Sequence, residues 1–425
     1  MSVQARETRR AAGLSRWQLW AVGVGAVLIV LSGVRAWTGA VELTSSGTFG
    51  AVLILGIPIM LAGLGGLYSE RTGVVNIGLE GMMILGTWFG AWAGWKFGPW
   101  WGVVFGTLGG GLGGLLHALA TVTFGIDHIV SGVAINILAP GLTRFLSAVA
   151  YPLGSGGSAT QSPQVQGNLP TVTLPILSGG KIFGWASPDV LGWLATRRWF
   201  LVSDAAGLLR GASRDIAILT LIALALIPLT WWVLWKTRLG LRMRSVGESP
   251  MAAESLGVPV YTMKYIGVVT SGCLAGLAGA FLVLESAGIY REGQTAGRGF
   301  IGLAALIFGN YRPGGVGAAA GLFGYAQALQ LRSPKTGIHG LLLFVTLAVL
   351  LLGLWMLYRR SRMGAGILLA LAAGAYTWYI TTDHIASEFV YMTPYVVTLL
   401  VLSLASQRLR VPAADGRPYR KGQAQ

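Results

Sequence analysis

Residues 65–81 read GGLYSERTGVVNIGLEG, with Glu70, Arg71, Thr72, Gly73 and Asn76 set between two strongly apolar stretches. Polar backbone at membrane depth is tolerated only where it is buried in protein or lines a water-filled cavity. An apolar helix that stops at such a run and resumes at Met82 is therefore expected to be a broken helix. The second half of the chain carries a counterpart. Residues 285–302 read ESAGIYREGQTAGRGFIG and precede a further apolar run and the loop Asn310-Tyr311-Arg312-Pro313-Gly314-Gly315. Each break falls between the second and third spans of its half. With five spans per half the two halves have opposite orientations, the pattern of an inverted repeat whose discontinuous helices meet near a solute path.

Composition agrees with a life in lipid. The chain has 425 residues, of which 54% are hydrophobic and only 11% charged, with a mean hydropathy of +0.65. A soluble domain carries roughly 25% charged residues, so much of this surface is expected to face hydrocarbon. The 64 glycines fit, because helices in lipid associate through small residues that let backbones approach. Gly106, Gly110 and Gly114 recur at every fourth position, as do Gly272, Gly276 and Ala280; both stripes are read as packing faces. Tryptophans such as Trp92, Trp95, Trp100, Trp101, Trp231, Trp232 and Trp235 sit near the ends of apolar runs, where amphipathic rings are best solvated. Cys273 is the single cysteine, which excludes an intrachain disulfide and a thiolate metal cluster.

Spans are expected near 17–36, 50–68, 81–97, 101–124, 129–149, 215–236, 263–288, 299–311, 313–331, 341–358, 364–381 and 388–407. Charge orients them. With the arginine-rich N-terminus (1–16) in the cytoplasm, Lys236, Arg238, Arg242, Arg244 and Lys264 also lie inside. If the short eighth segment crosses fully, Arg359, Arg360 and Arg362 and the tail 408–425 fall inside too. The first apolar stretch lacks a cleavage site of small residues and reads as an uncleaved span. Residues 150–214 are then external, an ordered lid or docking surface or else plain spacer, with an amphipathic piece from Val190 to Leu209.

Polar residues inside spans are functional candidates by default. Those for the solute path are Glu70, Asn76, Glu80, Asn136, Glu285 and Asn310. Glu70 and Arg71 have an equal alternative as interfacial side chains, and Asn136 one as an interhelical hydrogen-bonding group. Asp127 is read as a helix cap. No nucleotide-binding GxxxxGK[ST], no HExxH and no GxSxG occurs, so no cofactor or metal is expected on this chain and energy must come from an ion gradient or a partner.

The stretch Gly66–Met83 resembles the hallmark of permease subunits of nucleoside and simple-sugar ABC importers, the ribose-type permease superfamily. Residues 129–138 (IVSGVAINIL), 298–315 (RGFIGLAALIFGNYRPGG), Pro394-Tyr395 and 412–416 (PAADG) resemble the same family, so the likeness runs from about 50 to 420. It implies an all-α polytopic membrane protein of the bacterial inner membrane: a ten-span core of two inverted five-helix repeats with broken helices. The first repeat would occupy 17–149, and the second 215–332 and 386–407. The departure is 333–385, which inserts two extra spans before the last. Residues 237–262 form the cytoplasmic loop. Within it Glu248, Ser249, Pro250, Met251, Ala252, Ala253, Glu254, Ser255, Leu256 and Gly257 match the family's coupling helix, with Ser249 or Glu248 as cap and Met251, Ala252, Ala253 and Leu256 exposed.

The same resemblance implies partners: ABC ATPase subunits carrying ATP and Mg2+, a second paralogous permease in a heterodimer, and an external substrate-binding lipoprotein, with lipid around them and no nucleic acid. The expected function is a non-enzymatic path for a nucleoside or related sugar. The rival is an ion-coupled secondary transporter of a small polar solute, which would need no coupling helix.

Overall fold

The computed structural model describes residues 16–151, 155–182, 185–386, 389, 392 and 409–421. Apolar runs become helices and polar or glycine-rich intervals end them. The long helices are α1 (Arg16–Thr38), α2 (Ser46–Glu70), α3 (Leu79–Phe97), α4 (Pro99–Ala118) and α5 (His128–Ala150). After two short helices, α6 (Val190–Thr196) and α7 (Val202–Gly211), the chain continues with α8 (Ile218–Lys236), α9 (Arg238–Glu248), α10 (Pro250–Ser255) and α11 (Val260–Phe281). Helices α12 (Arg298–Phe308), α13 (Pro313–Arg332), α14 (Thr336–Tyr358) and α15 (Arg362–Thr381) complete the described helices. Two-residue antiparallel strand pairs, Thr171–Val172 with Ile216–Ala217 and Lys181–Ile182 with Trp185–Ala186, lie in the segment between α5 and α8.

Local chemistry sets the joints. Gly98, at φ 96°, turns the chain between α3 and α4, and Pro99 opens α4 at its first position, where a missing N–H costs nothing. Asp127 caps α5 by accepting from the Ile129 and Val130 N–H groups at 2.8 and 3.1 Å.

Eight helices among the described residues are long and apolar enough to cross a membrane, and the chain is a multi-pass membrane protein. Every expected span within the described residues is helical, but α3 and α13 are not among those eight, and α12 has only 11 residues. At 1.5 Å per residue that is about 16 Å, half of a hydrocarbon core of about 30 Å. A crossing at this point has to include the non-helical residues before α12. The expected span 388–407 lies outside the described residues, apart from Phe389 and Met392.

The chain divides into two compact units. One comprises residues 1–49, 174–214 and 329–391, and the other 50–173, 215–328 and 392–425. The first unit thus groups α1 with the short helices α6 and α7 and with the sequence neighbours α14 and α15. Inside it, Asp204 of α7 is only 1% exposed, forms an ion pair with Arg35 of α1, whose Nε lies 2.8 Å away, and accepts from the Thr44 hydroxyl. Arg332 Nε reaches Glu42 at 3.3 Å, and the His339 and Tyr379 rings stack at 4.4 Å between α14 and α15.

The second unit is built on a glycine seam. A methyl group placed on Gly106 would lie 2.7 Å from Ala280 Cβ, and one on Gly276 would lie 2.7 Å from Gly110 Cα. One on Gly272 would meet Gly114 Cα at the same distance. The two stripes read from the sequence therefore face one another, α4 against α11. Helix α3 closes the triangle through Gly86 and Gly90, which abut Gly276 and Ala280. Side chains are absent where the axes are closest, so dispersion between backbones holds the three helices together.

Candidate functional site

The first break begins where α2 ends. Its last turn closes on itself: the Arg71, Thr72 and Gly73 N–H groups donate to Leu67, Ser69 and Glu70 carbonyls, and Gly73 sits at φ 79°. The Ser69 hydroxyl donates to Val74 O at 2.6 Å. Beyond this turn, residues 75–78 lie outside any helix, and side chains of the break itself and of neighbouring helices bond to their backbone. Asn76, fully buried, accepts from Gly78 N–H at 3.0 Å and donates to Ser271 Oγ of α11 at 2.9 Å. Asn136 of α5 accepts from Gly81 N–H at 2.7 Å and donates to Ile77 O at 2.9 Å. His117 of α4 lies 3.1 Å from Val75 O and 2.9 Å from Ser131 Oγ.

Glu80 joins this break to the second one. Its carboxylate accepts from the Thr295 hydroxyl at 2.6 Å and from the Gly297 and Gly299 N–H groups at 2.9 and 2.7 Å. These donors form the N-terminus of α12, where unpaired N–H groups and the helix dipole favour a negative charge. Residues 215 to 219 positions apart are thereby held by one buried side chain. Gly299 has to be glycine, because a methyl group there would fall 2.6 Å from Glu80 Cα.

The six path candidates separate into groups. Asn76, Glu80 and Asn136 come together around the two breaks. Glu70 and Asn310 instead join a second cluster with the C-terminal tail. Arg71 donates to Tyr311 O at 2.8 Å and lies over the Trp235 and Tyr311 rings at 5.5 and 5.8 Å. The Glu70 carboxyl lies against Tyr311 and Asp415, and Asn310 Oδ1 accepts from the Arg410 N–H at 2.9 Å. Glu285 joins neither cluster: it is half-buried in the π-helical turn Leu282–Ala287 that extends α11.

Residues 237–262 hold two helices before α11, and the second, α10, is the short helix expected between Glu248 and Gly257. Thr237 caps α9 through the Gly240 N–H at 3.1 Å. Pro250 takes the first position of α10, and Gly257, at φ 77°, lies just past its end. Ser249 stands at the cap position without a side-chain bond. Met251, Ala252 and Leu256 are exposed, Leu256 at 83%. Ala253 corrects the expectation: it is 2% exposed and packs in the core with Val246 and Val260. A six-residue helix has a single inner face, and Ala253 is the residue on it.

Sequence reasoning missed the docking of the tail. The Ala414 N–H donates to Gly247 O at 2.9 Å, and the Tyr419 hydroxyl bonds Glu254 of α10. Asp415 lies against Glu70, with Lys264 and Arg71 nearby. Burial raises its pKa to about 7, although the Glu70 bond and the two cations pull the other way. The tail thus touches the first break, α9, α10 and the Asn310 turn at once. Its twelve or so residues have no periodicity that could have announced this.

No group of three or more His, Cys, Asp or Glu that could hold a metal ion occurs among the described residues.

Residues 48–357 match the family described as "Branched-chain amino acid transport system / permease component". The chain is 34% identical over 380 residues to the guanosine ABC transporter permease protein NupQ of Bacillus subtilis, covering 88% of this chain and 96% of that one. It is 33% identical over 299 residues to the putative glucose ABC transporter permease protein TsgC13 of Haloferax volcanii, covering 69% and 80%. A guanosine ABC transporter permease protein of the same Bacillus strain, NupP, is 25% identical over 350 residues, covering 78% and 89%. No solved structure matches the chain.

Proposed function

The chain belongs to the branched-chain amino acid transport system / permease component family, and from that premise we propose that it forms half of the membrane path of an ABC importer for a nucleoside. It is a transport component rather than an enzyme. The observation that carries the substrate class is the 34% identity to a guanosine permease over nearly the whole of both chains. Simple sugars are the second reading, favoured by the 33% identity to a putative glucose permease over a smaller share.

The rest of the reading concerns what surrounds the path. ATP and Mg2+ sit on partner ATPase subunits. A second, paralogous permease completes the path, as the pair NupQ and NupP in one Bacillus strain supports. An external binding lipoprotein delivers the solute. The termini and the loop 237–262 face the cytoplasm, in line with their arginines and lysines. The core is a ten-span inverted repeat, with 333–385 as its insert.

Mechanically, closure of the ATPases moves α10 through Met251, Ala252 and Leu256. The docked tail and Arg71 carry that displacement to the first break. Glu80 passes it to the N-terminus of α12, so that the two breaks shift as one body and not in succession. Asn76 and Asn136 hold the break's shape in both states, because each amide both accepts from and donates to groups within the chain.

Uptake by proteoliposomes containing the full complex tests the proposal. Labelled guanosine, adenosine, uridine, ribose and glucose should be offered with and without internal ATP. ATP-dependent accumulation of nucleosides, competed poorly by sugars, is expected. Sugar uptake alone would replace the substrate class. Uptake that persists without the ATPase would overturn the importer reading.

A further inference from the structure

Helices α6 and α7 of the first unit form an external hairpin whose tip is aromatic and basic. Its sequence from Val190 to Val202 is VLGWLATRRWFLV, with two arginines and no acid. Trp193, Trp199 and Phe200 are each about half exposed, and the two indole rings meet edge to face at 6.1 Å. The Arg197 guanidinium lies 4.5 Å above the Trp193 ring, and Arg197 and Arg198 are both exposed. The turn is strained: Arg198 and Leu201 take φ values of 57° and 64°, in the left-handed region that side chains avoid. Strain of this kind persists only where the surroundings impose it, and here it holds Trp199 and Phe200 outward.

The depth of this hairpin is fixed by a spanning helix. Asp204, on the first turn of α7, is buried against Arg35 and Thr44. Arg35 stands in the last turn of α1, two residues before Trp37, which is 82% exposed. A tryptophan and an arginine at the end of an apolar helix mark the membrane interface. Asp204 therefore pins α7 at interface level. The acid at the base of the hairpin, Asp189, is occupied separately. Arg210 holds it in a forked pair at 2.5 to 3.3 Å, which keeps its carboxyl below the usual range, and leaves the tip's positive charge uncompensated.

We propose that the α6–α7 hairpin lies in the outer leaflet of the bilayer, with Trp193, Trp199 and Phe200 among the upper acyl chains and Arg197 and Arg198 on lipid phosphates. Its occupant is thus a lipid surface, preferably anionic, and not a protein. An amphipathic element with aromatic residues on one face and arginines beside them binds an interface in this way. The hairpin acts as an outrigger for α1.

A nitroxide at Phe200→Cys in a Cys273→Ala background, within the complete transporter, tests this. The vesicles would hold phosphatidylethanolamine and phosphatidylglycerol, with a second label at the exposed Lys181→Cys as the aqueous reference. Collisions at 200 should favour oxygen over a water-soluble nickel chelate several-fold, with the reverse at 181. Equal chelate access at the two positions would overturn the proposal. So would shielding of position 200 from both reagents that disappears when the binding protein is removed, since that marks a protein contact. Trp193→Ser with Trp199→Ser should return the label at 200 to the chelate; continued immersion would deny the aromatic residues their role.

Discussion

At the scale of single residues, the acid at position 80 and the acid at position 415 do different work. Glu80 accepts from three donors at the second break. Replacing it by alanine leaves them buried and unpaired, at about 1–3 kcal/mol for each lost bond. Glu80→Ala is expected to lower the thermal midpoint of the solubilised complex and to abolish uptake, whereas Glu80→Gln, keeping one acceptor, should lose less of both. Asp415 answers to pH. Its carboxyl, raised by burial to about 7 when the tail is docked, has its ordinary value of about 3.9 when free. The raised value means that protonation favours docking. The contribution is complete below about pH 4 and is lost as pH rises through about 7. Protection of the Ala414 amide against hydrogen exchange, corrected for the intrinsic rate, should therefore fall between about pH 4 and pH 7 and level off above; Asp415→Asn should flatten that profile. The acidic character of Glu80 was legible in the sequence, but its partners were not. They lie more than two hundred residues away, and no local pattern points to them.

At the scale of elements, the breaks and the glycine stripes could be read directly, because each interrupts or repeats within an apolar run. The orientation of α10 could not. A six-residue helix presents too few turns for periodicity to fix its phase, and contacts with Val246 and Val260 decide it. The distinction is open to experiment. Leu256→Arg changes an exposed residue, so it should leave assembly intact and reduce substrate-stimulated ATP hydrolysis. Ala253→Arg would place an unpaired charge in the core, costing several kcal/mol; it should appear as loss of the folded complex in detergent, before any question of coupling. In the seam, Gly276→Leu should prevent α4 and α11 from closing and reduce the yield of assembled protein more than any substitution at the exposed Leu108 or Leu112 of α4.

At the scale of the whole molecule, composition alone predicted a multi-pass chain, and charge asymmetry supplied a direction. A cysteine at Arg198 should react with an impermeant maleimide on intact cells, and one at Met251 only after the membrane is opened. Reaction of both from outside would reverse the orientation. The grouping of α1 with the inserted pair was not legible, since it rests on contacts among segments far apart in sequence. The three-helix glycine seam has a consequence for the gene. Any change in the first two bases of a glycine codon gives a stop or a residue with a side chain, and at Gly86, Gly110, Gly272 and Gly276 even one carbon collides with the facing backbone. No neighbouring codon offers a smaller compensating partner, because glycine already stands on both sides. These positions are therefore closed to stepwise drift, and a lineage can retune the path only by altering residues away from them.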